Sequence, residues 1–264
     1  MKRSVLSLSL GLFALAACRS SVGLPEPEAP PALNASHPVP AERVPEERGF
    51  VVDLQTPSRR GTGATAFALS ASHLLTTRRV IESWRGEDEE PLGVTLRVDG
   101  VLTTARIAAR GWTGDRHARW ALLECPRRPF AATAPVHQPA RDPEWTPALG
   151  SEIVLLRPRS ASGGKAALAA VAFELQHVDA TSWVAAGGPH HERGSVGAPA
   201  MVWNDATSRL EVIGVFVHTG PIRQLFRRTT RVDGIPHVSR CETIVGRTYT
   251  IERLSESALA VCDT

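Results

Sequence analysis

Residues 94–107 read Val-Thr-Leu-Arg-Val-Asp-Gly-Val-Leu-Thr-Thr-Ala-Arg-Ile. In this stretch Val94, Leu96 and Val98 alternate with polar residues, as in a strand with one buried face. Asp99-Gly100 then supplies two residues that accept the positive φ of a tight turn, and a second run follows. The stretch therefore predicts an antiparallel β-hairpin.

Further short apolar runs between turn residues extend this pattern along the chain. They lie at 51–54, 64–69, 153–156, 170–175, 183–186 and 212–217. Because no helical pattern separates them, they predict an all-β barrel or sandwich and not a parallel α/β sheet. Near the end, Ile251, Leu254, Ala258 and Leu259 recur at helical spacing and predict a single C-terminal helix.

The N-terminus has the pattern of an export signal. Lys2 and Arg3 precede an apolar run over 5–17 that is shorter than the roughly 20 residues needed to cross a bilayer. The exit of this run, Leu15-Ala16-Ala17-Cys18, resembles the bacterial lipobox. The resemblance implies that residues 1–17 are removed and that Cys18 carries the lipid. The alternative is an ordinary signal followed by an unrelated cysteine.

Lipidation at Cys18 implies a bacterial cell-envelope protein anchored in a membrane. Arg19 is not the aspartate that retains some lipoproteins in the inner membrane, so the resemblance favours the outer membrane. Residues 18–48 are rich in proline and glutamate, which predicts an extended tether. The alternative for this segment is packing on the domain edge. Residues 49–264 are long enough for one large β domain or two small lobes.

Charge and cysteine content exclude several classes of function. The net charge is +3, and the arginines are spread along the sequence without interleaved aromatics, so no nucleic-acid partner is expected. No metal-ligand spacing and no cofactor motif is present. Beyond the lipidation site the cysteines are Cys125, Cys241 and Cys262, which allow one internal disulfide. The sequence does not decide the pair, and Cys241 with Cys262 is the preferred one.

Four motifs in the body of the chain occur in the order of a known family. They are Gly61-Thr62-Gly63, the segment 73–81, Arg119-Trp120-Ala121-Leu122-Leu123, and Gly194-Ser195-Val196-Gly197-Ala198-Pro199. They resemble the strand entry, histidine segment, aspartate segment and serine loop of the trypsin-like (chymotrypsin-fold) serine peptidases, particularly the bacterial periplasmic type. The element at 149–154 also has a counterpart there. The resemblance spans about residues 50–218 and implies two six-stranded antiparallel β-barrels.

In this register the catalytic triad is replaced. Arg79 stands at the histidine position, Arg119 at the aspartate position and Val196 at the serine position. Gly194, Ser195 and Val196 form the oxyanion-type loop. The resemblance therefore implies a lipid-anchored pseudoprotease that serves as a binding or scaffold module, with the membrane and a protein or peptide ligand in the old cleft as its partners. The two arginines invite an anionic ligand, although they could equally lie along the surface or pair with Asp115 or Glu192.

Two other functions remain open from the sequence. Ser195 could be a displaced nucleophile served by His73, His190 or His191, which would make the chain an active serine endopeptidase. The spacing of Gly194 and Gly197 favours Val196 in the nucleophile position. Alternatively, the motifs are coincidental and the chain is an unrelated β-sandwich binding lipoprotein.

Overall fold

The first strand among the described residues lies within the segment that was expected to be a tether. The computed structural model describes residues 36–44, 48–55, 64–84, 93–110, 119–127, 129–142, 144–159, 167–179, 182–188, 194–254 and 256–262. Strand β1, Ser36–Pro38, pairs with residues 171–173, and Val39 behind it is buried. Residues 36–39 therefore pack on the second barrel, inside the segment 18–48 that was expected to be a tether. The export signal, Cys18 and the start of the tether lie outside the described residues.

The first barrel is built from six antiparallel strands. They are β2 Val51–Gln55, β3 Ala64–Ala68, β4 His73–Thr77, β5 Gly93–Val98, β6 Val101–Arg110 and β7 Trp120–Glu124. The sheet closes in the order β2-β3-β4-β7-β6-β5. The predicted hairpin forms β5 and β6, and its turn residues Asp99 and Gly100 have φ of 47° and 80°.

Helix α1, Arg78–Trp84, follows β4 directly and was not predicted. Thr77 explains where it starts, because its Oγ1 accepts a hydrogen bond at 3.4 Å from the main-chain N–H of Val80. This is the arrangement of an N-cap residue, whose side chain satisfies an amide of the first helical turn. Val80 and Ile81 are buried against the barrel, so packing stabilises this short helix.

The second barrel also has six antiparallel strands. They are β8 Glu152–Arg159, β9 Ala167–Val178, β10 Ser182–Gly187, β11 Pro199–Asn204, β12 Arg209–Val232 and β13 Ile235–Arg253. The order β9-β10-β13-β12-β11-β8 is closed by pairing of β8 with β9, and β1 adds to β9. The predicted all-β fold of two six-stranded barrels is therefore confirmed. The sandwich alternative is wrong, because both sheets close on themselves.

Each barrel has its own packed interior. In the second barrel the ring centroids of Phe173 and Tyr249 lie 4.3 Å apart, and Phe216 meets Tyr249 edge-on at 6.2 Å. Such aromatic pairs add to the free energy gained by removing their apolar surface from water. These rings and Trp183 fill the core of the second barrel. The other cluster of buried side chains fills the first barrel and continues onto strands of the second, and its rings are Phe50, Phe67, Trp120 and Phe130.

The connection between the barrels runs along β12. Val136 forms a bridge with Val212, and the main-chain N–H of His137 donates to the Val212 carbonyl at 2.9 Å. Beside it, the buried carboxylate of Glu211 lies 2.8 Å from His137 Nδ1 and accepts hydrogen bonds from Asn204, Thr207 and Arg209. The connector is thus fastened to the second barrel by main-chain and side-chain bonds.

Helix α2, Glu256–Cys262, ends the described chain and packs against β6. The predicted C-terminal helix is confirmed, but it is shorter than the pattern suggested, since Ile251 belongs to β13. No helix of the described residues is long and apolar enough to cross a membrane.

The preferred disulfide between Cys241 and Cys262 is wrong, because no disulfide joins the cysteines of the described chain. The reason is their position in the fold. Cys241 pairs with Phe226 in the part of β12 and β13 that projects beyond the second barrel. Cys262 lies at the end of α2 and packs on the core of the first barrel.

Candidate functional site

Arg79 and Arg119 lie at the same rim of the first barrel. Strands β4 and β7 are neighbours, and their last matched pair is Thr77 with Trp120. One step further, the main-chain N–H of Arg78 donates to the carbonyl of Arg119 at 2.7 Å. The start of α1 and the start of β7 are thereby joined, which brings the two positions predicted from the sequence side by side.

The second barrel contributes to the same rim through Glu252 on β13. Its carboxylate accepts a hydrogen bond at 2.7 Å from the main-chain N–H of Arg119. A bond from an amide to a charged acceptor is stronger than one between neutral groups. Glu252 is not predictable from the sequence, since it belongs to no motif and its role depends on how the two barrels meet.

The loop 194–198 is fastened to both barrels. On the side of the first barrel, the Thr65 N–H donates to the Val196 carbonyl at 3.2 Å and Thr65 Oγ1 donates to the Gly194 carbonyl at 2.6 Å. On the other side, the Gly197 N–H donates to the carbonyl of Phe216 on β12 at 2.8 Å. The loop therefore lies at the junction of the barrels, and Val196 is at its centre.

Gly197 is required where the loop crosses β3. It adopts a φ of 86°, and a Cβ atom there would lie 1.9 Å from the Thr65 carbonyl oxygen and 2.6 Å from Thr76 Oγ1. The hydroxyl of Thr76 in turn donates to that same carbonyl at 2.9 Å. Thr76 is only three residues before Arg79, so the loop and the start of α1 are linked through Thr65.

Ser195 and Val196 have different surroundings. The Ser195 side chain is buried, with 1% of the residue exposed, and its hydroxyl has no hydrogen-bond partner among the described residues. Val196 is half-buried and packs against the first core. A hydroxyl that is enclosed in this way is not presented to an incoming carbonyl group.

Both arginine side chains are exposed. Within the described part of the chain, neither guanidinium forms an ion pair with an acidic side chain. Asp115 and Glu192, the partners considered from the sequence, lie outside the described residues, as does Gly61-Thr62-Gly63. Binding of an anion by Arg79 and Arg119 stays a prediction.

Among the described residues, no histidine that was considered as a base lies next to Ser195. His73 opens β4, at the end opposite Arg78, and its Nδ1 lies 2.8 Å from Ser70 Oγ and 3.1 Å from Ser72 Oγ. No carboxylate of a described residue is bonded to its ring. His190 and His191 lie outside the described residues. The described residues also contain no group of three or more histidine, cysteine or acidic side chains placed to hold a metal ion.

Comparison with known proteins shows similarity only in the backbone fold. No family model and no curated protein matches the sequence. Among solved structures, the chain is similar to a Glu endopeptidase in complex with MPD at 11% identity, covering 87% of this chain and 95% of that one, with a TM-score of 0.47. An inactivated protease paralogue of the scabies mite matches at 14% identity, 86% and 96% coverage and a TM-score of 0.46.

A third similar structure is the active form of the Rv3671c protease from M. tuberculosis. It shares 16% identity, covers 89% of each chain and gives a TM-score of 0.49. Sequence identities and TM-scores this low carry no information about the activity of this chain. The assignment of a two-barrel fold therefore rests on the strand pairings of this chain.

Proposed function

We propose that this chain is a catalytically inactive trypsin-like domain, held at the bacterial cell envelope by a lipid on Cys18, that acts as a binding or scaffold module. The observation that carries the proposal is the pair Ser195 and Val196. The glycine-framed loop holds valine where the family holds its nucleophile, and the neighbouring serine is 1% exposed.

The chemistry of the three substituted positions supports this proposal. A guanidinium at Arg79 has no acceptor lone pair and stays protonated, so it cannot act as a general base. A positive charge at Arg119 has the wrong sign to orient and stabilise an imidazolium. The side chain of Val196 has no heteroatom that could attack a carbonyl carbon.

The second candidate, an active peptidase using Ser195, receives less support. The hydroxyl of Ser195 would have to turn out of the protein interior to reach a substrate. In addition, His73 is hydrogen-bonded to the hydroxyls of Ser70 and Ser72, at the end of β4 opposite Arg78. A serine nucleophile needs a base within hydrogen-bonding distance. No described residue supplies one.

A fluorophosphonate probe, which reacts with activated serines, tests the proposal directly. The full chain and its Ser195→Ala variant should both remain unlabelled under conditions in which a working serine peptidase is labelled completely. Stoichiometric labelling that disappears in Ser195→Ala would establish the second candidate instead. Intact-protein mass spectrometry measures the labelled fraction, and mass spectrometry of the proteolytic peptides locates any adduct.

Lipid attachment is tested separately. In cells fed an alkyne-labelled palmitate, the chain should be labelled and should sediment with the envelope. The Cys18→Ser variant should lose the label, and this loss is the readout that tests the attachment site. Labelling that persists in Cys18→Ser, or absence of any label on the unchanged chain, would contradict anchoring at this residue without affecting the argument about Ser195.

A further inference from the structure

Strands β12 and β13 continue well beyond the second barrel as a two-stranded ribbon, residues 222–245. Strand β11 pairs with β12 only over 209–215, and β10 pairs with β13 only over 247–252. No described strand therefore pairs with either outer edge of the ribbon, and its tip is the turn at Asp233 and Gly234, with φ of 52° and 85°. An isolated two-stranded hairpin is only marginally stable in water. A hairpin of this length therefore indicates a surface that is stabilised by contact with a binding partner.

The ribbon carries a high density of positive charge. Its five arginines and two acidic residues give it a charge of +3, equal to that of the whole chain. Directly opposed residues share a face of a hairpin, and alternate residues along a strand do so too. Arg223, Arg227 and Arg231 therefore lie on one face, and Arg240, opposite Arg227, joins them. We call this face the arginine face.

Three of the four arginines of this face form no ion pair within the part of the chain that the structure describes. Arg223 pairs with Glu242 at 3.1 Å, but Arg227, Arg231 and Arg240 form no ion pair with a described residue. Arg227 and Arg240 are direct cross-strand neighbours, and like charges in that position destabilise a hairpin. An external anion would remove this repulsion.

Exposed apolar side chains lie between the arginines on the same face. Leu225 is 69% exposed and Val238 is 64% exposed. Arginine combined with exposed aliphatic side chains on one face is the composition of elements that lie in a membrane interface, where charge meets anionic headgroups and apolar groups enter the acyl boundary. The only aromatic residue of the ribbon, Phe226, lies on the opposite face, which disfavours a nucleic acid.

We propose that the arginine face docks on the surface of an anionic phospholipid bilayer, with Leu225 and Val238 entering the headgroup boundary. A second copy of the chain fits less well, because two ribbons of charge +3 repel each other. This contact is independent of a lipid on Cys18 and of the state of the triad positions. It would hold the second barrel against a membrane by a second, non-covalent contact.

Vesicle sedimentation of the full chain carrying Cys18→Ser tests the proposal without any attached lipid. The protein should bind vesicles of phosphatidylcholine and phosphatidylglycerol, and bind pure phosphatidylcholine much less. At about 1 kcal/mol for each arginine near an anionic surface, Arg227→Gln/Arg231→Gln/Arg240→Gln should weaken binding about a hundredfold. Leu225→Ser/Val238→Ser should weaken it about tenfold.

A matched control removes the same charge from the first barrel. Arg97→Gln/Arg106→Gln/Arg127→Gln should bind within about twofold of the unchanged protein. Equal loss in the two triple variants would show that net charge alone drives binding and would overturn the proposal. Equal binding to both vesicle types, or tighter binding to duplex DNA than to the anionic vesicles, would also overturn it.

If a variant fails to fold, hydrogen exchange of the protein with its ribbon sequence unaltered provides an independent test. Amides of 222–245 should exchange more slowly when anionic vesicles are added, while those of β2 to β7 should not change. Absence of added protection in the ribbon despite vesicle binding would place the contact elsewhere and contradict the proposal.

Discussion

The carboxylate of Glu252 accepts a hydrogen bond from the main-chain N–H of Arg119 across the junction of the two barrels, at 2.7 Å. Through this bond, a side chain of the second barrel fixes the backbone of the first barrel at Arg119. Together with the contacts of Thr65 to the loop 194–198, it makes the site a product of both barrels.

Glu252→Ala should therefore destabilise the protein by about 1 kcal/mol, because the amide of Arg119 loses a charged acceptor at a partly exposed position. Glu252→Gln retains an oxygen acceptor and should lose less. Urea unfolding at neutral pH measures both. Glu174→Ala, an exposed glutamate on β9, is the matched control and should change stability by less than about 0.5 kcal/mol. Equal effects of Glu174→Ala and Glu252→Ala would contradict the role given to Glu252.

Gly197→Ala should destabilise the protein by more than about 3 kcal/mol or prevent folding, since the added Cβ meets the Thr65 carbonyl within the loop. Gly234→Ala separates the steric effect from backbone strain. Its φ of 85° matches the 86° of Gly197, but no atom lies within 4 Å of the position of its Cβ, so about 1 to 2 kcal/mol is expected. Comparable losses in the two variants, measured by urea unfolding, would show that the crossing with β3 is not tight.

Ser195→Ala should leave stability unchanged or raise it by up to about 1 kcal/mol. A buried hydroxyl without a hydrogen-bond partner carries a desolvation cost that alanine does not have. Thermal unfolding checks this, with Thr76→Val as the control. Thr76 Oγ1 donates to the Thr65 carbonyl, so its removal should lower stability by about 1 kcal/mol. A clear loss of stability in Ser195→Ala would mean that its hydroxyl is bonded in solution.

Glu211 should make stability depend on acid pH. Burial alone would raise the pKa of its carboxyl, but hydrogen bonds from Asn204, His137, Thr207 and Arg209 outweigh burial and lower the pKa from 4.5 to about 2. A lowered pKa in the folded state stabilises the protein above the unfolded value, and this contribution disappears as pH falls from about 4.5 to about 2.

Glu211→Gln should consequently be less stable than the unchanged protein at pH 7, by about 3 kcal/mol, and the two should converge near pH 2. Urea midpoints across this pH range give the difference directly. Other carboxyl groups affect both proteins alike, so only the difference reports on Glu211. A difference that stays constant with pH would contradict the lowered pKa.

The sequence predicted the strands better than the way they are joined into a site. The Asp99-Gly100 turn and the short apolar runs identified the β segments, because alternation and turn chemistry are local. The same type of turn, Asp233-Gly234, joins β12 and β13 but is not predicted, because the apolar residues beside it, Val232 and Ile235, do not belong to runs that alternate between apolar and polar residues.

Contacts between residues far apart in the sequence could not be predicted from local patterns. Nothing near Glu252 indicates that it meets Arg119, and nothing near Cys241 indicates that it lies far along a projecting ribbon. Helix α1 was missed for a different reason: it is a short helix stabilised by the Thr77 cap and by burial of Val80 and Ile81, not by a repeating pattern.

The outer edges of the ribbon, which pair with no described strand, have a consequence for aggregation. Strand edges with open amide and carbonyl groups invite strand addition by neighbouring molecules, and charged side chains along them act as gatekeepers. Since Arg227, Arg231 and Arg240 supply that charge, soluble polyanions that mask them should turn the ribbon into a nucleus for intermolecular β-sheet. The guanidinium groups should thus keep the molecule dispersed in solution as long as their charge is not masked.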